Sequence, residues 1–329
     1  MTLAATGVPS VTVRAPAKIN LELIVGPRRA DGYHDLATVF HAVSLYDEVT
    51  VEAAPRWSVE VRGLHADLVP ADESNLAHRA AVLLAETAGV DQAVAITIDK
   101  QIPVAGGLAG GSADGAAALL ACETLWGLGT PRAQLEALGA RLGSDVPFAL
   151  TGGTAIGSGR GERLAPVLGR GRYHWVLATS DTGLSTPAVY AECDRLRGRA
   201  RVPAPVPSAA MMTALRSGDP EALGPALVND LQEAALSLRP ELGEVVQTGL
   251  EYGALGGVVS GSGPTVAFLV ADHEAGLDLS VALTASGVAP TVCRATGPVH
   301  GAHVVSLPTP PAQLRTPWHP SRGVGPSEV

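Results

Sequence analysis

Between residues 11 and 25, Ile19, Leu21, Leu23 and Val25 alternate with Lys18, Asn20 and Glu22, and only Ile24 breaks the polar set. A period of two is that of a strand with one face in a core. It predicts Lys18 and Asn20 together on the other face, away from that core. Residues 43–53, 57–63 and 93–99 read as further strands, the last delivering Lys100 to the segment that follows. The period changes to that of a helix over 76–88, with Ser74 or Asn75 as N-cap. It does so again after Ser112, where Ala113, Ala116, Ala117 and Leu120 recur at i, i+3, i+4 and i+7. Thr130 and Pro131 open a helix that Gly143 closes. Residues 147–157 read as an apolar strand and 174–179 as another. Helices are expected from Leu184 through Tyr190 and over 209–217, 220–237 and 240–253. Two apolar strands flank a tight turn at Gly261, Ser262 and Gly263. The regular beat of a doubly wound sheet is missing, so the pattern predicts a mixed α+β fold of two lobes, divided as 1–160 and 161–305. Residues 306–329 carry six prolines and no period, which predicts a disordered tail.

The run from Ile102 to Cys122, IPVAGGLAGGSADGAAALLAC, organises the candidate chemistry. Gly106, Gly107, Gly110 and Gly111 fall within six positions and lead into the alanine-rich helix, with Ser112 as its expected N-cap. Glycine lets a ligand sit against bare backbone. A helix start offers unpaired N–H groups and a partial positive charge, which suit phosphate. No Lys follows the loop glycines in the Walker spacing, and G-x-G-x-x-G is absent here. Near Gly261, Val266 stands where a dinucleotide motif needs its third glycine. Lys18, the Tyr33–His34 pair after the Asp31-Gly32 turn, and Asp145 after Gly143 are further candidates. Each also has a plain alternative: a solvated strand face, a capped loop, a helix cap.

Composition narrows the classes. The chain has 329 residues, 46% of them apolar, with mean hydropathy +0.22, enough for a sizeable core without disulfides. Cys122, Cys193 and Cys293 stand far apart, which suggests neither a disulfide framework nor a zinc site. A net charge of −9 argues against a nucleic-acid partner. No apolar run of about 18 residues and no signal-peptide pattern at the N-terminus point to a cytoplasmic protein with no membrane contact.

Three ordered stretches then carry a resemblance: P-A-K-I-N-L (16–21), P-V-A-G-G-L-A-G-G-S-A-D (103–114) and G-G-V-V-S-G-S-G-P-T (256–265). They resemble the three motifs of the GHMP small-molecule kinases (galactokinase, homoserine kinase, mevalonate kinase and relatives). R-x-D-G-Y-H (29–34) and G-S-D-V-P-F (143–148) are similar to the branch whose acceptor is CDP-methylerythritol. The likeness spans roughly residues 10–305. It implies a two-lobed α+β fold with the active site in the cleft between lobes. The implied activity is ATP-dependent phosphorylation of the acceptor's 2-hydroxyl, with Mg²⁺, in the non-mevalonate route to isoprenoid precursors.

Carried over residue by residue, the resemblance makes Lys18 and Asp145 the catalytic pair. Pro103, Val104, Ala105, Gly106, Gly107, Leu108, Ala109, Gly110, Gly111, Ser112 and Ala113, with Asn75 and Leu76, would bind ATP. Asn20, Tyr33, His34, Lys100 and Tyr190 would bind the acceptor, Lys100 against its phosphate and Tyr190 packed on the cytosine. Asp114 is a candidate metal ligand whose role the match does not establish. The implied partners are the two small molecules alone, with the protein a monomer or weak homodimer. The Pro-rich tail, Ala113 and Gly115 depart from the family pattern. A homoserine- or mevalonate-type kinase, or a non-catalytic nucleotide-binding protein on the same fold, are the alternative readings.

Overall fold

The computed structural model describes residues 9–104 and 106–307; the expectations for Ala105 and for residues 308–329 lie outside them. The chain opens with two long strands, β1 (Ser10–Arg28) and β2 (His34–Ala53), paired antiparallel along most of their length. Then follow β3 (Ser58–Gly63), α1 (Leu76–Ala88), β4 (Val94–Lys100), α2 (Gly110–Trp126), α3 (Arg132–Leu142), α4 (Val146–Thr151), β5 (Thr154–Gly159) and β6 (Arg163–Pro166). The later elements are β7 (Tyr173–Thr179), α5 (Thr186–Arg197), α6 (Ala209–Ser217), α7 (Pro220–Leu223), β8 (Val228–Asn229), α8 (Gln232–Leu238) and α9 (Glu241–Glu251). The chain closes with β9 (Gly256–Val259), β10 (Val266–Val270), α10 (His273–Ser286), β11 (Thr291–Gly297) and β12 (His303–Ser306). This is the mixed α+β architecture expected.

The first sheet runs β12-β1-β2-β4-β3, with β5 on β2, β6 on β5, and β8 parallel on β1. The second runs β11-β7-β10-β9. Sheet membership does not follow a cut at residue 160, since β6, β8 and β12 all join the first sheet. Among the described residues, no helix is long and apolar enough to cross a membrane.

Side-chain alternation sorts the two cores. On β1, Val11, Val13, Ala15, Ala17, Ile19 and Leu21 face a core shared with α1 and α2. On β7, Trp175 and Leu177 join that same core, whereas Val176 and Ala178 enter a second one under α5 and α10. A strand covered on both faces is apolar throughout, which explains the unbroken run WVLA.

Several expectations change here. The opposite face of β1 is not solvated: Lys18, Asn20 and Glu22 are 6%, 3% and 1% exposed, because the second half of the chain covers them. The strand expected over 147–157 is α4 followed by β5. Pro147 lies in the first turn of α4, where a missing N–H costs nothing. The helix expected over 220–237 is broken into α7, a 3₁₀ turn at Gly224–Ala226, β8 and α8. Ser306, where the tail was expected to begin, instead ends β12 and pairs with Thr12. The segment forming α10, β11 and β12 carried no expectation.

His41 on β2 sits where the two sheets meet. It is fully buried, with Nδ1 2.8 Å from Thr154 Oγ1 and its ring 5.8 Å from those of Tyr173 and Trp175. Burial pushes its pKa down to about 3, partly offset by the Gly297 backbone beside it. The folded state therefore holds it neutral while the unfolded chain takes up a proton near 6.5. Stability is full above that value and declines as pH falls toward 3. At pH 5 the loss from this one group is about 2 kcal/mol. His41→Gln removes it, so the drop in melting temperature between pH 7.5 and pH 5 should shrink in the variant.

Candidate active site

A cleft of about 1130 Å³ opens between the two halves, walled by the glycine loop, the start of α2, the polar face of β1, and α5. The loop is clamped from both sides. Gly107 takes φ +77°, and a Cβ there would stand 2.2 Å from the Ser260 carbonyl, so only glycine fits. Its own carbonyl accepts from Lys18 Nζ at 2.9 Å and Ser260 Oγ at 3.0 Å. The Lys18 N–H donates to the Leu108 carbonyl at 3.1 Å, and the Thr265 N–H to the Gly106 carbonyl at 3.2 Å.

Helix α2 starts three residues earlier than expected. Its cap is Ala109, at φ 59°, with no side-chain cap bond, and Ser112 stands inside the first turn. The first intrahelical bond runs from the Ala113 N–H to the Ala109 carbonyl. The amides of Gly110, Gly111 and Ser112 precede it and have no partner within the helix. Pro103, Val104, Gly106, Gly107, Ala109, Gly110, Gly111 and Ser112 line the cleft, as do Asn75 and Leu76. Leu108 and Ala113 turn away into the core, both fully buried. The Ala113 amide is spent in the helix, and neither side chain lines the cleft. Asn75 caps α1 by accepting from the Ala77 N–H and donates to the Pro70 carbonyl.

Lys18 and Asp145 approach across the cleft, Nζ to Oδ2 at 3.9 Å. Asp145 precedes α4 but makes no cap bond, which disposes of the plain cap alternative and leaves its carboxylate open to the cleft. Lys18 is also held by Asn20 Oδ1 at 2.8 Å, and Asn20 Nδ2 donates to Thr38 Oγ1 at 2.8 Å. Burial lowers the Lys18 pKa below the ordinary lysine value, with Asp145 opposing.

At the far end, His34 stacks on Tyr190 with centroids 5.2 Å apart and rings 26° from parallel. His34 Nε2 lies 2.9 Å from Asp194 Oδ1. Burial, with Asp145 and Cys193 adding, raises the Tyr190 hydroxyl well above its ordinary range. Tyr33 is 55% exposed, with the Arg160 guanidinium 4.8 Å over its ring. Sequence reading missed Asp194 and Arg160. Nothing near either in the chain marks it, since each meets its partner only through the fold.

Lys100 is not free at the mouth of the loop. It is 2% exposed and held between Asp47 Oδ2 at 2.5 Å and Asp114 Oδ2 at 2.7 Å. Asp47 also accepts the N–H groups of Gln101 and Ile102 through Oδ1. Burial works to strip Lys100 of its proton, but the flanking carboxylates of Asp114 and Asp47 outweigh it and raise its pKa. Burial and the Asp47 charge push Asp114 up to about 8, against the pull of Lys100. Asp114 Oδ1 is buried without a partner.

This fold, with a helix start built for phosphate and a lysine–aspartate pair facing it, is that of a small-molecule kinase. The family model for the GHMP kinases N terminal domain matches residues 75–153, and that for GHMP kinases C terminal matches 211–289. The 4-diphosphocytidyl-2-C-methyl-D-erythritol kinase of Mycolicibacterium smegmatis is 59% identical over 305 residues, covering 91% of this chain and 94% of the relative. That of Mycobacterium tuberculosis is 57% identical over 300 residues with the same coverage. A crystal structure of 4-(cytidine 5'-diphospho)-2C-methyl-D-erythritol kinase superposes with TM-score 0.72 at 35% identity, over 87% of this chain and 98% of that one. Homoserine kinase from Cytophaga hutchinsonii, at 19% identity and TM-score 0.70 over 93% of this chain and 100% of that one, shares the fold. The chain belongs to the GHMP kinase family, on the branch of the 4-diphosphocytidyl-2-C-methyl-D-erythritol kinases.

The Asp47–Lys100–Asp114 cluster gives a pH test of stability. Asp114 keeps its proton in the fold up to about 8, against 3.8 for an ordinary carboxylate. Between those values the folded state binds more protons, so stability falls as pH rises through the window. Asp114→Asn should flatten the decline in melting temperature between pH 6 and pH 9. Lys100→Met leaves the buried Asp47 carboxylate without its cation and should cost about 3–5 kcal/mol, measured by urea unfolding at pH 7.5.

Proposed function

We propose that the chain transfers the terminal phosphoryl group of ATP to the 2-hydroxyl of 4-diphosphocytidyl-2-C-methyl-D-erythritol, in the cytoplasm, as a step of the non-mevalonate (MEP) route to isoprenoid precursors. One observation carries the catalytic part: Lys18 and Asp145 face each other across the cleft, between the phosphate-suited start of α2 and the His34–Tyr190 stack. The acceptor hydroxyl enters between them. Asp145 takes its proton as the oxygen attacks the terminal phosphorus and ADP departs. The Lys18 ammonium stabilises the negative charge that develops on that oxygen, and Asn20 fixes the ammonium's position. The amides of Gly110, Gly111 and Ser112 hold the ATP phosphates, with Asn75 and Leu76 on the adenine side.

Phosphate-bound Mg²⁺ is usually held by one or two carboxylates. Asp114 lines the cleft next to the start of α2 with one oxygen unpartnered; it would fit that part by giving up its proton to the arriving cation, and the ion's chemistry would be neutralisation of the phosphates. His34, held by Asp194, and Tyr190 form the wall against which the cytosine packs, with Tyr33 at the rim.

The test is release of ADP in a coupled assay with the cytidine diphosphate alcohol, set against homoserine and mevalonate as acceptors. Turnover with the cytidine compound alone supports the reading, and turnover with either of the others instead rejects it. Asp145→Asn should lower kcat by about 10²–10⁴ while leaving both KM values near wild type. Lys18→Met should do comparable damage, and the double variant should be little worse than either single, because the two act as one unit. Since Lys18 loses its proton below the ordinary lysine value, the alkaline limb of the wild-type rate profile should begin below 10.5. Tyr190→Ala removes a stacking contact worth about 1–3 kcal/mol, so the acceptor's KM should rise by roughly five- to 150-fold. The KM for ATP should stay unchanged, and equal weakening of ATP would mean the two ends of the cleft are assigned the wrong way round.

A further inference from the structure

An acceptor with its base at His34 and Tyr190 and its hydroxyl at Asp145 must carry its diphosphate between the two ends, and the cations nearest the reaction are already occupied. Lys18 is bound to Asn20, Gly107 and Asp145. Lys100 is enclosed by Asp47 and Asp114. Two further cations line the cleft, Arg28 and Arg160. Both are exposed, and neither takes part in an ion pair among the described residues. In contrast, the adjacent Arg29 is paired with both Asp31 and Asp35.

Arg160 is the better placed of the two. It rides on the tight connection between β5 and β6, where Gly159 and Gly161 take φ +73° and +105°. Its N–H donates to Glu162 Oε2 at 2.7 Å, and the Gly161 N–H donates to the Ser158 carbonyl at 3.1 Å. The connection is thus locally bonded and holds the guanidinium 4.8 Å over the Tyr33 ring. A guanidinium resting on an aromatic face keeps its in-plane N–H donors available, and that planar fork matches phosphate oxygens.

Building on the function proposed above, we infer that Arg160 binds the diphosphate of the cytidine substrate, making the rim of this cleft selective for a nucleoside diphosphate over the bare nucleoside. Tyr33 orients the guanidinium, and Arg28, which also lines the cleft, adds a second unpaired positive charge. Arg160 acts on affinity for the acceptor and takes no part in the proton transfer at Asp145.

The experiment compares binding of CDP and of cytidine, by calorimetry, to the wild-type protein, Arg160→Gln and Arg160→Lys, with melting temperatures confirming that the exposed substitutions leave the fold intact. The wild type should prefer CDP. Arg160→Gln should reduce that preference by about tenfold, the size of one charge-assisted hydrogen bond, with cytidine affinity nearly unchanged. Arg160→Lys should recover only part of it, because an ammonium lacks the fork. In the assay, Arg160→Gln should raise the acceptor's KM by a similar factor at unchanged kcat and unchanged KM for ATP. An equal loss of CDP and cytidine affinity would overturn the inference, showing that Arg160 only supports the Tyr33 ring, and so would no change in either. Failure of the wild type to bind both compounds would reject the cytidine reading itself and this inference with it.

Discussion

The buried contact of Lys100 with Asp47 and Asp114 is the constraint on which the geometry of the cleft rests. Asp47 comes from β2, Lys100 from the end of β4, and Asp114 from the first turns of α2, so a single ammonium ties the main sheet to the helix that begins at the glycine loop. Asp47 goes further and accepts the Gln101 and Ile102 N–H groups, the first two amides of the chain leaving β4 for the loop. Three charged groups at this depth would be costly if any one were unmatched. Burial raises the Asp114 pKa, which brings the cluster toward neutrality around physiological pH. The loop and the start of α2 are therefore positioned by groups inside the protein, before any phosphate arrives.

The same structure resolves how a chain with net charge −9 serves two polyanionic ligands. Its positive potential is local. It comes from the unpaired amides at the start of α2, from Lys18 held on Asn20 and the Gly107 carbonyl, and from the arginines at the rim. The glycine loop, through the Gly107 carbonyl on Lys18, and the chain before α6, through the Ser208 N–H on Glu22, help close over the polar face of β1. That burial lowers the Lys18 pKa and places its ammonium where water screens it least. A phosphoryl transfer depends mainly on position and electrostatics, so a pair 3.9 Å apart in such a setting supplies what the acceptor needs.

Much of this was legible along the chain, and for local reasons. The glycine loop, the alternation that puts Lys18 and Asn20 on one face, the Asn75 cap and the mixed α+β class depend on neighbours a few positions away. The order of three motifs was enough to reveal the family. Errors arose where tertiary burial overrides local signals: β1 is covered on both faces, α4 replaces a strand beside Pro147, and Ser112 yields the helix cap to Ala109.

The sequence by itself determined which chemistry was on offer: a phosphate cradle, a lysine, an aspartate, and an aromatic–imidazole pair. Only the tertiary structure decided what each group does with the others. It turned Lys100 from a free cation into the centre of a buried cluster. It brought Asp194 onto His34 across 160 positions and set Arg160 over Tyr33. The physical reason is range. Capping and periodicity act over a turn or two of chain, whereas a salt bridge or a stacked ring requires two side chains within a few ångströms in space, and which side chains those are is settled by how the sheets and helices pack.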